Sequence, residues 1–347
     1  MLIKRADLHL HTRFSQWKHL RFIKPRDCYS EPLEVYRRCK QIGMDFVAIT
    51  DHDTIDGAMD LLERHPDLEP EIIVGEEVET HFPDTKQWVH VNVFDIDEPI
   101  HRDITHLKRD VRELVPYLRS KGLFYVLNHP FQSYRLQKPA LSFIDDILEL
   151  FDHFEVGNGT LPSRHNQAVA EMLDLAAALC LKKHGVGGSD AHHIAGIGRY
   201  CTEAEVDAAP VGPAAPSSAP PGSLKRAWLS AVARGKGRAA GRSIGAAGLT
   251  ANVYRIIGQY YLSLRDPEVR RHMRAKNYLA AAVLAPACIA GLPAFLNLGN
   301  TLRLEAVTSH LRRAMRSLAT TRPGARDRAT FGGSAFPEES PAADPAD

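Results

Sequence analysis

Residues 5–14, RADLHLHTRF, set two imidazoles two positions apart at the end of a short apolar run. On an extended strand, side chains at i and i+2 point to the same side, so His9 and His11 share a face. Six further runs of strand character follow within the first 200 residues: DFVAIT, EIIVGEEVE, WVHVNVF, FYVLNHP, HFEVGN and GVGGSD. Helical patterns separate several of them. EPLEVYRRCKQIG has Pro32 near its start and Gly43 past its end, and NQAVAEMLDLAAALCLKK is a second. Seven strands alternating with helices predict an α/β fold, a parallel βα barrel.

A barrel of that kind builds its site at the C-terminal ends of its strands, from several strands at once. The polar residues fall where that rule requires. His9 and His11 close the first strand, TDHDT follows the second, Glu77 lies in the third and His90 in the fourth. His129 ends the fifth, and Asp190 with His192 follows the seventh. Fifteen of the 17 histidines precede residue 200, which places the chemistry in this part of the chain. Gathering so many imidazoles and carboxylates in one pocket carries a large desolvation cost unless cations satisfy them, and divalent metal ions do so.

The motifs DLHLHT, TDHDT, GEEVE, HVNVF, NHP, EVGN and GGSDAH occur in an order and spacing that resembles the PHP (polymerase and histidinol phosphatase) superfamily, over about residues 3–200. The chain looks like one of its stand-alone phosphoesterases of small molecules or nucleotides. The resemblance implies a distorted (βα)7 TIM-like barrel holding two or three divalent ions with nine ligands: His9, His11, Asp27, His52, Glu77, His90, His129, Asp190 and His192. It further implies that Glu77 bridges two ions, that His9, His11 and Asp190 complete the first, and that His90 and His129 complete the second. Asp27, His52 and His192 would hold a third. Relatives place an aspartate five positions before the proline opening the next helix, which selects Asp27 ahead of Pro32, with His19 as the rival. Their G-x-E pattern selects Glu77 among Glu76, Glu77 and Glu79. Glu77, His129 and Asp190 stand closest to the expected chemistry, and Arg199, Arg164, Arg13 and His165 are the candidates for holding substrate. Asp7 and Asp51 are either orienting partners for imidazoles or caps of strand ends and turns.

Nitrogen and oxygen ligands suit Mn, Zn or Fe. Clustered divalent ions attract an anion and lower the pKa of a shared water, so hydroxide is present at neutral pH, and hydrolysis of a phosphorylated small molecule, a nucleotide or an oligonucleotide end is the expected reaction. Two alternatives stand beside it: an amidohydrolase-type C–N hydrolase, and a non-catalytic metal-stabilised scaffold. A net charge of +1 gives no strong sign of duplex nucleic-acid binding. Five cysteines with no CxxC spacing, and no basic-then-apolar leader, suit a reducing, cytoplasmic setting.

From about residue 203 the texture changes. Of the 16 residues 207–222, 14 are Ala, Pro, Gly or Ser, which predicts a linker or mobile loop over 203–222. Residues 223–320 read as helical and 321–347 as a disordered tail, leaving 1–202 for the barrel. Within the helical part, residues 278–298 carry no charge and follow Arg271, Arg274 and Lys276. They predict either a buried or partner-facing hairpin or a membrane-associated segment.

Overall fold

In the computed structural model, residues 2–15, 26–135, 140–206 and 224–321 are described. Residues 207–222 of the expected linker 203–222, the expected tail 321–347 beyond its first residue, and His19 lie outside them. The chain forms one nine-stranded sheet in the order β7-β6-β5-β4-β3-β2-β1-β8-β9. Its strands are β1 (Leu2–Asp7), β2 (Phe46–Ile49), β3 (Ile72–Phe82), β4 (Gln87–Phe94), β5 (Phe124–Asn128), β6 (His153–Asn158), β7 (His184–Gly188), β8 (Tyr200–Val206) and β9 (Gly237–Gly241).

All seven expected strands are present, but they do not form seven parallel βα units. β4 runs antiparallel to both β3 and β5. Only residues 83–86 join β3 to β4, too few for the crossover that parallel neighbours require. β8 and β9 add two further antiparallel strands, β8 against β1 and β9 against β8. Residues 203–206 therefore belong to the sheet, and the expected boundary at residue 202 cuts through β8.

The sheet curls into a nearly closed barrel. At its mouth, the chain beyond β1 meets the chain beyond β7: Leu10 bridges Ala191, and Asp190 N–H donates to the His9 carbonyl at 2.8 Å. Lower down, Thr202 Oγ1 of β8 exchanges 2.9 Å hydrogen bonds with the backbone of Gly187 in β7. Side chains alternate along the strands as a pleated barrel demands. Val47 and Ile49 join the main core facing the helices, whereas Phe46 and Ala48 join a second cluster with Ala6, Leu8, Ile73 and Val126.

Helices α1 (Pro32–Gln41), α2 (Asp56–Arg64), α3 (Glu98–Leu107), α4 (Val111–Ser120), α5 (Ala140–Leu150) and α6 (Ser163–Ala178) flank the sheet. Their starts follow local chemistry. Pro32 opens α1, Asp97 accepts from Ile100 N–H, and Asp110 accepts from Arg112 N–H. Helix α7 (Leu224–Ala231) closes the barrel end opposite the mouth. Its Trp228 is fully buried in the second cluster and donates to the carbonyl of Lys4, at the start of β1.

Four more helices follow: α8 (Ala246–Ser263), α9 (Pro267–His272), α10 (Ala275–Ile289) and α11 (Leu292–Thr321). α11 lies against α5 and α6. Val307, Leu311, Met315 and Leu318 enter the main core, and Arg312 makes two 2.8 Å bonds to Glu171. The region after residue 223 is thus built into the barrel. Among the described residues, no single helix is long and apolar enough to cross a membrane.

Candidate metal centre

Glu77 is the hub of the mouth. Its Oε1 lies 3.1 Å from His90 Nδ1 and 3.0 Å from His129 Nε2, and it accepts from Asn128 Nδ2 at 3.0 Å. Its Oε2 lies 3.2 Å from His9 Nε2, 3.4 Å from His11 Nε2 and 3.0 Å from His52 Nδ1. Five imidazoles thus converge on one fully buried carboxylate. Backbone pairing enforces the arrangement: His52 bridges Glu77, whose N–H donates to the Asp51 carbonyl while its own carbonyl accepts from Asp53 N–H.

Two further carboxylates extend the cluster. Asp190 Oδ1 stands 3.5 Å from His9 Nε2, 3.3 Å from His11 Nε2 and 3.5 Å from His192 Nδ1. Asp27 Oδ2 stands 2.7 Å from His192 Nε2 and 3.4 Å from His52 Nε2. The nine expected ligands therefore surround one space. Their grouping differs from the expected sets: the His52 ring spans two of them, with Nδ1 towards Glu77 and Nε2 towards Asp27, His11 also joins the group of Asp27, His52 and His192, and His90 and His129 fall in separate groups.

Charges in so small a volume shift one another. Against the desolvation that burial imposes, His9, His52 and His90 hold Glu77 well below the usual carboxylate range, and His9, His11 and His192 do the same for Asp190. Burial, with His192 nearby, pushes His11 down to about 3. His192 itself, opposed by burial but beside Asp27, rises to about 10. Two of the nine residues, His129 (φ 26°) and Asp190 (φ 53°), also hold left-handed backbone that non-glycine residues rarely adopt, a strain typical of functional sites.

A tenth residue belongs here that was not among the expected ligands, although it opens the EVGN motif. Glu155 of β6 is buried; its Oε1 lies 2.8 Å from His9 Nδ1, and its Oε2 accepts from His129 N–H at 3.0 Å and Asn158 Nδ2 at 2.9 Å. It turns His9 so that Nε2 faces the cluster. Its signal in the sequence was a carboxylate between Phe154 and Val156 in an otherwise apolar strand. Glu155→Gln is expected to weaken metal retention about 10–100-fold, as loss of an orienting partner does. Metal content after dialysis against graded chelator checks this, and unchanged retention would refute the role.

Asp7 and Asp51 brace backbone and not imidazole. Asp7 accepts from the N–H groups of His9, Ser189 and Gly198, and burial raises its pKa to about 6. Asp51 accepts from Thr12 through both backbone and hydroxyl, and burial raises it to about 7. Glu76 points away from the cluster and meets His101 Nδ1 at 3.0 Å.

The expected substrate-binding residues are scattered. Arg13 is paired to Glu31 at 2.8 Å, and Arg164 is mostly exposed, 3.7 Å from Glu305 of α11. His165 is buried on α6 against Phe131 and Asn166, and burial pushes it down to about 3, so it is neutral. Arg199 lies half-buried at the approach to β8, where its carbonyl accepts from Arg242 N–H.

Do these residues suit metal ions? His9 Nε2, His11 Nε2, His52 Nδ1 and Glu77 Oε2 are all buried, all aimed at the same space, and none makes a hydrogen bond among the described residues. Buried polar atoms are almost always bonded, so four orphans facing one another mark a place built for cations. Ligand atoms of His11, Asp27, His52 and His192, of His9, His11 and Asp190, of His9, His129 and Glu155, and of His52, Glu77 and His90 lie within 4.8 Å of one another in each group. The fold and site together define an α/β protein with a nearly closed barrel whose mouth carries overlapping clusters able to hold metal ions.

Comparison with known proteins places the chain as follows. No family model matches it. It is 34% identical over 76 residues to an uncharacterized protein, MJ1587, of Methanocaldococcus jannaschii; the match spans 22% of this chain and 44% of that one. Among solved structures it is similar to PsfC from Pseudomonas syringae (16% identity, TM-score 0.47, 75% of this chain and 99% of that one). It is also similar to a "putative metal-dependent phosphoesterase" from Bifidobacterium adolescentis (17%, TM-score 0.40, 54% and 87%) and to an amidohydrolase from Chromobacterium violaceum (16%, TM-score 0.40, 54% and 87%).

Proposed function

We propose that this chain is a PHP-type metal-dependent phosphoesterase, hydrolysing a phosphorylated small molecule, a nucleotide or an oligonucleotide end. The observation that carries the proposal is the set of four buried ligand atoms, Glu77 Oε2 and the three imidazole nitrogens 3.0–3.4 Å from it, that face one another without a hydrogen bond. Divalent ions held there would supply Lewis-acid charge and lower the pKa of water, the chemistry that phosphoester hydrolysis needs near neutral pH.

The chain's own residues do the rest. Glu77 offers one oxygen to the His90 and His129 side and the other to the His9, His11 and His52 side, so it would serve as a ligand to metal on either side. Glu155, Ser15 and the Asp190 carbonyl engage the second ring nitrogen of His9, His11 and His192, which fixes the direction of the first. Four buried carboxylates, Asp27, Glu77, Glu155 and Asp190, would leave about two positive charges over against three divalent ions. An anionic substrate is favoured on that ground.

Metal analysis with a panel of a phosphomonoester, a phosphodiester and an acetylated amine, run with added Mn²⁺, tests this. His9→Ala is expected to lower phosphoester turnover by about 100-fold or more, since the nitrogen that faces Glu77 and Asp190 would no longer be there to hold metal. Full activity in His9→Ala, or turnover of the amide alone, would overturn it.

A further inference from the structure

We infer that the outer face of α10 and the start of α11 is a docking surface for an anionic lipid bilayer. α10 is built inside out. Its inward positions are Asn277 and Ala281, both buried, whereas Leu279 and Val283, one turn apart on the opposite side, and Ile289 at its end are exposed by 67, 68 and 86%. Across the turn at Gly291, held in the left-handed region (φ +97°), α11 continues the same surface with Phe295, 72% exposed, and Leu296, Leu298 and Leu302. Monomeric soluble proteins rarely expose contiguous apolar surface of this kind, and where they do it marks an interaction site.

Charge selects the occupant. No Asp or Glu lies between Glu268 and Glu305, and Arg265, Arg271, Arg274 and Lys276 stand exposed at the edge of the apolar face. The asymmetry runs further: residues 223–321 hold 16 Lys or Arg against 3 Asp or Glu, whereas residues 1–222 hold 24 against 34. A protein partner matching an apolar helix would not require a cationic border along one end. Anionic headgroups above hydrocarbon do, and basic residues beside an interfacial apolar helix face are the usual recognition device. The pair formed by α10 and residues Leu292–Leu318 also meets the length and composition of a bent apolar span, with a 72° angle at its break. A bend of that size, with the rest of α11 seated on α5 and α6, fits shallow insertion by the hairpin and not passage across the bilayer.

The test is flotation of the full chain with phosphatidylglycerol/phosphatidylcholine vesicles and with phosphatidylcholine alone. Binding to the anionic vesicles should exceed that to neutral ones by about ten-fold or more, and should weaken as NaCl rises from about 0.05 to 0.5 M. Leu279→Asp with Phe295→Asp should remove binding, and Arg271→Gln with Arg274→Gln and Lys276→Gln should remove the preference for anionic lipid. Metal content and circular dichroism, measured on each variant, show that the barrel is intact. The inference fails if neither vesicle binds. It fails equally if light scattering finds a dimer that Leu279→Asp converts to monomer, for then a second copy covers the face. Neither result bears on the metal centre.

Discussion

Glu77→Ala should strip the protein of its metal ions and lower phosphoester turnover by about 1,000-fold or more, equivalent to about 4 kcal/mol at 1.36 kcal/mol per decade. Among the described residues, no other side chain at the mouth touches so many imidazoles: five lie between 3.0 and 3.4 Å from its two oxygens. Losing one histidine would leave other donors in place. Losing Glu77 removes the anion that lets neighbouring cations approach one another. Glu77→Gln keeps an oxygen but not the charge, so an intermediate loss is expected. The checks are metal ions per chain by mass spectrometry and initial rates with a phosphomonoester. A Glu77→Ala protein that keeps its ions would refute the hub.

Ending the chain at Val206 should abolish soluble, cooperative folding. Such a chain lacks α7, β9 and α11. It would open the lower end of the barrel by removing Trp228, Leu229 and Val232 from the cluster around Phe46, Ile73 and Val126. It would also uncover the places on α5 and α6 where Leu311 and Met315 are buried. Loss of one buried Trp side chain alone costs about 3–5 kcal/mol, a large part of the 5–15 kcal/mol by which folded domains are stable. The comparison is solubility and calorimetric melting of residues 1–206 against the full chain, with Trp228→Ala as the milder variant. A soluble 1–206 protein with full metal content would show the later region to be dispensable.

The mouth of the barrel was legible because each ligand is marked locally. The HxH pair, TDHD and SDAH sit at strand ends, where a run of β-branched and apolar residues stops at a charge. The direction of β4 was harder to see, since its apolar run looks the same read either way. Only the four-residue link after Phe82 gives it away. β9 reads GRAAG and carries no strand signal at all; its pairing with Tyr200–Ala204 comes from the edge that β8 offers. Glu155 was hidden by its neighbours, and the roles of Asp7 and Asp51 depend on backbone groups as far away as Ser189 and Gly198. α11 was readable as a helix. Which surface its Val307, Leu311 and Leu318 would cover was not, because α5 and α6 are specified more than 100 residues earlier.

The seam between the first strand and the loop after the seventh has a bearing on how the protein comes off the ribosome. His9 and His11 are made some 180 positions ahead of Asp190 and Ala191, which hold them. At synthesis rates of about 5–20 residues per second, the nascent imidazole pair waits on the order of 10–35 s for its partners. Any ion held by these residues would therefore load late in biogenesis. A cell starved of transition metals would accumulate finished chains whose entrance alone is unsettled, since the apolar layers beneath have already set.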